Sequence, residues 1–173
     1  MRGLRELAEI PEAGAALAFL GEAYRTRLKR AGRSVDHPIA VGRVLANDGQ
    51  PPRLVVAGIL HDVLEDTDAT ATELEDAFGA ETARLVVALT QDPSIEKYQK
   101  RKAALRTQIV AAGPEAAAVS LADKVAKLQS EHSRPANRKL AHYRETLEAI
   151  ERRYGGSGLS ALLRGQLDRW SAD

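Results

Sequence analysis

Three carboxylates crowd one histidine in the segment that contains His61, Asp62, Glu65 and Asp66. Residues three and four positions apart share a helix face and adjacent residues converge at a helix end, so His61, Asp62 and Glu65 could meet. The carboxylates would repel one another unless a cation lay among them, and a divalent metal ion is the simplest one. Mixed imidazole and carboxylate ligands favour manganese, iron, zinc, magnesium or cobalt over copper(I). Alternatively, these residues could have a purely structural role, as an ordinary helix end followed by an acidic loop, although acids at the C-terminal end of a helix oppose the helix dipole.

Two residues that are distant in the sequence fit the same kind of site. His37 precedes Pro38 at the start of a predicted helix, and Asp123 is a lone acid in an otherwise apolar helix. A buried carboxylate is costly unless it is paired or bound to a metal ion. Taken singly, His37 could be a hydrogen-bonding residue at a helix start, and Asp123 could pair with Lys124 or Lys127. Taken together, they add a second histidine and another aspartate to the candidate site.

The order of these residues resembles that of the HD-domain superfamily: a histidine, then a His-Asp pair, then an aspartate. The resemblance is closest to the hydrolase domain of RelA/SpoT-type enzymes and the small alarmone hydrolases, and it covers about residues 23–154. The matching motifs are His37-Pro38, the run from Ala57 to Thr67, Phe78-Gly79, Leu85-Val86, Leu89-Thr90 and Leu121-Ala122-Asp123-Lys124. Separated motifs in the same order are a much stronger signal than any one of them.

The resemblance implies an activity and a role for each matching residue. Enzymes of this family remove the 3′-pyrophosphate from guanosine tetra- or pentaphosphate, usually with manganese. Carried over by position, the ligands of one divalent ion are His37, His61, Asp62 and Asp123. Glu65 and Asp66 match the acids that orient or deprotonate the attacking water.

The predicted substrate-binding residues include two departures from the family pattern. Lys29 and Arg30 match basic residues that could meet a phosphate or stack on a base, although a solvated helix end explains them equally well. Ser34 stands where the family usually has a tyrosine, and Lys127 where it usually has an asparagine; both family residues bind nucleotide. These departures leave the metal ligands intact. They leave the nucleotide open, so that an adenosine alarmone or an ordinary nucleotide could be the substrate.

The elements that must position these residues are predicted to be helices. Apolar residues recur at helical spacing, and aromatic residues make up only 4% of the chain. We expect helices over about residues 12–29, 38–46, 53–65, 73–78, 81–90, 94–111, 115–130, 140–154 and 159–170. The helix over 53–65 is apolar nearly all round, which predicts a central position. Four basic residues resemble a basic helix of the family, and we predict that they form an exposed, solvated face: Lys97, Lys100, Arg101 and Lys102.

We therefore predict an all-α fold, an HD-domain helical bundle of about seven to nine short helices forming a single domain over residues 1–173. The absence of cysteine excludes disulfides and thiolate metal sites. The net charge of +1, without a long basic run, argues against a nucleic-acid partner. The apolar stretches are too short for a bilayer and no signal-peptide pattern is present, so a cytoplasmic protein without a membrane partner is expected. The oligomeric state stays open.

Three functional hypotheses follow. The first is a manganese-dependent hydrolase of a nucleotide pyrophosphate, acting on guanosine tetraphosphate or a related alarmone and releasing pyrophosphate. The second is an HD-type phosphohydrolase of nucleoside mono- or triphosphates, which Ser34 and Lys127 favour. The third is a catalytically silent, nucleotide-binding regulatory domain. Glu65 and Asp66 argue against the third, because a silent domain has no need of acids beside the metal ion.

Overall fold

The computed structural model describes residue 7, residues 10–29 and residues 32–170. Its helices are α1 (Pro11–Thr26), α2 (Asp36–Asn47), α3 (Pro52–Leu60), α4 (Val63–Asp66), α5 (Ala71–Phe78), α6 (Ala80–Leu89), α7 (Tyr98–Ala112), α8 (Pro114–Gln129), α9 (Asn137–Tyr154) and α10 (Gly158–Arg169). In this part of the chain no strand is formed, and a single antiparallel bridge joins Leu28 to Thr67. The predicted all-α fold is confirmed. None of the described helices is both long and apolar enough to cross a membrane.

The clearest differences from the predicted boundaries are a break in one helix and a late start in another. The predicted helix over 53–65 is interrupted after Leu60, and the single turn α4 begins at Val63. Asp62 between them has φ −97° and ψ −4°, a conformation typical of turns. The predicted start at Ser94 is wrong because Asp92 accepts hydrogen bonds from the backbone and hydroxyl of Ser94, which forms a turn before α7.

Helix α3 lies at the centre of the bundle. Every residue from Leu54 to Leu60 is buried, as expected for a helix that is apolar on all sides. Helices α1, α2, α6 and α8 pack around it. The predicted central position is therefore confirmed, and the residues that follow α3, His61 and Asp62, emerge from the most tightly enclosed element of the fold.

Two glycines allow α2 and α3 to pack closely. A Cβ atom at Gly42 on α2 would lie 2.7 Å from Cγ1 of Ile59 on α3. A Cβ atom at Gly58 would overlap the side chain of Leu45. Because His37 lies in the first turn of α2 and His61 directly follows α3, this packing fixes how far apart the two histidines stand.

Replacing Gly42 with alanine tests this packing. A glycine-to-alanine change inside a helix ordinarily stabilises a protein by about 0.5–1 kcal/mol. Here the new methyl group would overlap the branched, fully buried Ile59, so we expect Gly42→Ala to lower the free energy of unfolding by about 1–3 kcal/mol. Urea unfolding measures the change. The matched control is Gly14→Ala in α1, where the new atom would meet nothing within 4 Å and should stabilise. A Gly42→Ala protein as stable as wild type would contradict the close packing.

Candidate metal and nucleotide site

Side chains from three separate elements meet at one point. Oδ1 of Asp123, on α8, lies 2.9 Å from Nε2 of His37 and 3.4 Å from Nε2 of His61. The two imidazole rings stand edge to face with centroids 5.2 Å apart. The candidate ligand atoms of these three residues all lie within 4.8 Å of one another, which is close enough for one metal ion to bind them together.

Asp62 borders the same cluster. Its Oδ1 lies 3.2 Å from Nε2 of His61, and its Oδ2 lies 3.9 Å from Nε2 of His37. His61 keeps helical backbone angles and the chain leaves the helix only at Asp62, so the two adjacent side chains converge at the end of α3. The structure thus brings together all four residues that the sequence predicts as metal ligands.

The hydrogen bonding of His61 leaves one ring nitrogen aimed at the cluster. Its Nδ1 lies 2.8 Å from the carbonyl oxygen of Gly58, which can only accept, so Nδ1 carries a proton and donates. Nε2 is buried and makes no well-aligned hydrogen bond among the described residues, although the Asp62 and Asp123 carboxylates lie 3.2 and 3.4 Å away. A buried nitrogen without a well-aligned partner is costly, and a metal ion would satisfy it. Two imidazoles and two carboxylates with such a nitrogen fit a divalent metal ion.

The electrostatics of the cluster favour a bound cation. Burial alone would lower the pKa of His61, but the neighbouring Asp62 and Asp123 carboxylates outweigh it and raise that pKa to about 10. Burial alone would raise the pKa of Asp62, but the charges of His61 and Lys127 outweigh it and lower that pKa. The carboxylates therefore attract a proton to the imidazole when no ion is present. A metal ion would replace that proton.

Two lysines also approach Asp123. Nζ of Lys127, one helical turn further along α8, lies 2.7 Å from Oδ1 of Asp123. Nζ of Lys124 lies 3.6 Å from Oδ2 and is held by the carbonyl oxygen and the hydroxyl of Ser120. Burial lowers the pKa of Lys124 to about 8. Both lysines that the sequence offered as partners for Asp123 thus lie beside it.

Glu65 is held rigidly beside the cluster by one residue. Its Oε1 accepts a 2.6 Å hydrogen bond from the backbone N–H of Gln91, and its Oε2 accepts one of 2.9 Å from the Gln91 side-chain amide. Burial raises the pKa of Glu65 even though these hydrogen bonds oppose the shift. A fixed carboxylate with a raised pKa is a stronger base than an exposed glutamate and is suited to accept a proton.

Asp66 has different surroundings from Glu65, although the sequence places both in one acidic pair. Oδ2 of Asp66 accepts a 2.8 Å hydrogen bond from the Tyr24 hydroxyl, and Oδ1 lies 3.1 Å from Nε of Arg33. Its backbone oxygen accepts from the N–H of Lys29. Adjacent residues on a helical turn face different directions, so Asp66 joins the segment before His37 to the His61 turn while Glu65 faces the cluster.

The structure brings one of the predicted substrate-binding residues to the cluster. Lys127 lies there, but Nζ of Lys29 donates to the carbonyl oxygen of Leu64 and the Ser34 hydroxyl donates to Asp36. Lys29 and Ser34 are exposed and do not line the cavity beside the cluster. Arg30 lies outside the described residues.

A cavity of about 480 Å³ opens beside the cluster. Its wall includes His37, His61, Asp62, Glu65 and Asp123, the cations Lys102, Lys127 and Arg138, and the aromatic residues Tyr98 and Tyr143. Nζ of Lys102 lies 5.7 Å and the guanidinium carbon of Arg138 lies 5.3 Å from the centre of the Tyr98 ring. The candidate metal ligands, several cations and two aromatic rings therefore line one cavity, which suits an anionic ligand that contains a ring.

Comparison with known proteins decides the family. The profile of the HD domain matches residues 16–149, most of the chain. The chain belongs to the HD-domain family. The superfamily predicted from the order of His37, His61, Asp62 and Asp123 is therefore confirmed.

Named relatives of this HD domain include guanosine-3′,5′-bis(diphosphate) 3′-pyrophosphohydrolases. The MESH1 enzyme of Danio rerio is 39% identical over 101 residues, which cover 55% of this chain and 53% of the relative. The MESH1 enzyme of Homo sapiens is 38% identical over 97 residues, covering 55% and 54%. The chain thus spans about half the length of these relatives. A solved structure described as a metazoan ortholog of SpoT that hydrolyzes ppGpp has a TM-score of 0.73 at 22% identity over 95% of this chain and 94% of the other, which shows a shared fold.

Several residues that line the HD-domain cavity were not predicted from the sequence. Lys97 and Lys100 are exposed as expected, but Lys102 is half-buried and reaches the cavity, so the prediction of a solvated face is wrong there. The spacing of Lys102 from Tyr98 was a sequence signal for its partial burial, because residues four apart on α7 share a face and Lys102 therefore lies beside an aromatic ring. No sequence pattern indicated Gln91, because its contact with Glu65 depends on how distant segments pack.

The role of Asp66 in this HD domain can be tested by stability. Asp66→Asn removes the charge facing Arg33 and weakens the buried hydrogen bond to Tyr24, so we expect it to lower the free energy of unfolding by about 1–3 kcal/mol. Tyr24→Phe removes the hydrogen bond alone and should cost about 1 kcal/mol. Urea unfolding of both variants gives the comparison. If Asp66→Asn were as stable as wild type, Asp66 would not hold these segments together.

Proposed function

We propose that this HD domain is a manganese-dependent hydrolase that removes the 3′-pyrophosphate of guanosine tetraphosphate or a related alarmone. The observation that carries the proposal is the shared cavity, where the His/Asp cluster and Glu65 lie with Lys102, Lys127 and Arg138. A pyrophosphate ester bears several negative charges, which require positive charge from both a metal ion and the protein. The names of the MESH1 relatives support the same substrate class.

The proposed ligands of the ion are His37, His61, Asp62 and Asp123. Nε2 of His61 makes no well-aligned hydrogen bond and points at the carboxylates of the cluster, which supports this assignment, and mixed imidazole and carboxylate ligands suit manganese. When bound, the ion supplies positive charge at the phosphoryl group and makes water a better nucleophile.

Glu65 is proposed as the general base. Gln91 fixes both of its carboxylate oxygens, and burial raises its pKa, so Glu65 can take a proton from the attacking water. The water oxygen bonds to the phosphorus next to the ribose, and the bond from that phosphorus to the 3′ oxygen breaks. The 3′ oxygen takes up a proton from solvent, and Glu65 later returns its proton to solvent. The products are pyrophosphate and the 5′-nucleotide. Lys102, Lys127 and Arg138 offset charge on the departing phosphates.

Tyr98 is proposed to contact the base or ribose, because a purine can stack on an aromatic ring, whereas Tyr143 is buried and forms part of the cavity wall. Ser34 donates to Asp36 outside the cavity, and Lys127 replaces a neutral amide with a charge. These two residues favour the second candidate function, hydrolysis of nucleoside mono- or triphosphates.

The proposal also includes a single domain over residues 1–173, a cytoplasmic location and a small nucleotide, rather than nucleic acid or membrane, as the partner.

A substrate panel separates the candidates. The purified protein with Mn²⁺ is offered guanosine and adenosine tetraphosphates and common nucleoside mono- and triphosphates, and the products are resolved by chromatography. Pyrophosphate from an alarmone supports the proposal and identifies the base. Orthophosphate from ordinary nucleotides supports the second candidate. Nucleotide binding without any product supports a silent regulatory domain.

The role of Glu65 is tested by Glu65→Gln. The variant should bind Mn²⁺ like wild type, because Glu65 lies outside the ligand set, and it should turn over about 10²–10⁴-fold more slowly because the base is lost. Single-turnover kinetics and metal titration measure the two effects. Glu75→Gln, an exposed glutamate on α5, is the control and should react at the wild-type rate. A Glu65→Gln protein that changed KM but not kcat would contradict the base assignment.

A further inference from the structure

The ammonium of Lys127 faces the same oxygen atom as the two candidate imidazole ligands. Oδ1 of Asp123 lies 2.7 Å from Nζ of Lys127, 2.9 Å from Nε2 of His37 and 3.4 Å from Nε2 of His61. A protonated amine has three hydrogens and no lone pair, so Lys127 cannot itself be a metal ligand. It instead supplies positive charge to an oxygen that a metal ion would need.

The position of Lys127 follows from the sequence of α8. Residues four apart on a helix are neighbours, which lets the side chain of Lys127 reach the carboxylate of Asp123. Its side chain is 35% exposed and lines the cavity, which gives the ammonium room to move. Lys124 lacks that freedom, because its side chain is only 4% exposed and Ser120 holds its ammonium.

We propose that Lys127 is an internal counter-ion of the metal site, which occupies Asp123 when no ion is bound and is displaced when a divalent ion binds. This inference rests on the proposed metal site. A divalent cation and an ammonium on one carboxylate oxygen, about 4 Å apart, would repel each other enough to reduce metal affinity by ~tenfold or more, even with the dielectric constant of water. Displacement avoids this repulsion only by breaking the ion pair between Lys127 and Asp123. Lys127 therefore weakens metal binding in exchange for a neutralised site in the metal-free protein.

Displacement also gives Lys127 a second position. Lys102 lines the same cavity. When the ammonium of Lys127 leaves Asp123 it stays in this cavity, so two cations then lie there together. In the metal-free protein Asp123 neutralises the charge of Lys127, so Lys127 attracts phosphate only weakly. Metal binding thus makes a phosphate-binding cation available, and the two ligands become linked.

The first test measures Mn²⁺ affinity by isothermal titration calorimetry without any nucleotide. Lys127→Met should bind Mn²⁺ ~tenfold or more tightly than wild type, since the competing charge is gone. Lys102→Met removes one positive charge from the same cavity and should change the affinity less than about threefold, because Lys102 makes no ion pair with Asp123 among the contacts described. Lys127→Asn, checked for helicity by circular dichroism, should change in the same direction as Lys127→Met.

Each outcome bears on a different statement. Wild-type binding of Mn²⁺ with no gain in either Lys127 variant would overturn the counter-ion while leaving the metal site standing. Equal gains in Lys127→Met and Lys102→Met would overturn it too, since the effect would then be general charge. Binding in Lys127→Met but not in wild type would support it strongly. Absence of Mn²⁺ binding in all the proteins would overturn both the counter-ion and the proposed metal site.

The second test measures linkage with inorganic phosphate as the probe. Phosphate affinity is determined with and without Mn²⁺ for wild type and for Lys127→Met. The ratio of the two affinities should be at least about threefold larger in wild type, because only there does the metal ion release a cation. Equal ratios would overturn the second position of Lys127 without affecting the first test.

Discussion

A carboxylate that is largely buried in a helix bundle needs compensating positive charge, and Asp123 sets this requirement for the whole site. Its side chain is 14% exposed, and its neighbours Ala122, Lys124 and Val125 on α8 are buried. The requirement is met by groups from separate elements: His37 on α2, His61 after α3, and the two lysines on α8. Apolar packing fixes the helices, and Asp123 then determines which polar side chains turn toward their common point.

The precision of that point depends on how closely the helices approach. Gly42 and Gly58 leave no room for a Cβ atom where α2 meets α3, so the start of one helix and the end of the other are held in register. His61 caps the end of helix α3 and the chain turns at Asp62, so both side chains reach the cluster from the end of this helix. A site assembled on helix ends inherits the rigidity of the core beneath it, which is what positioning a metal ion and a nucleophile demands.

The sequence predicted the helical fold and the convergence of His37, His61, Asp62 and Asp123, because periodicity and motif order report on helix faces and helix ends. It did not predict the break at Asp62, which depends on a turn inside an otherwise helical pattern. It also could not place Asp66 against Tyr24 or Glu65 against Gln91, since those pairs form only when distant segments pack. Lys102 was assigned to the surface for the same reason: a basic residue on a polar helix is solvated unless another element covers it.

The presence of lysine at position 127 changes the balance between the metal-free and metal-bound states. With a neutral amide there, the histidines and Lys124 would be left to offset Asp62 and Asp123, and the site would relax or take up protons when the ion left. With Lys127, the carboxylate of Asp123 keeps a 2.7 Å partner in the metal-free protein. The ligands are then held in place before the ion arrives, but the ion must displace a cation to bind. A chain with this residue trades metal affinity for a preformed site, so its activity should reach half of its maximum at a higher Mn²⁺ concentration than that of the Lys127→Asn variant.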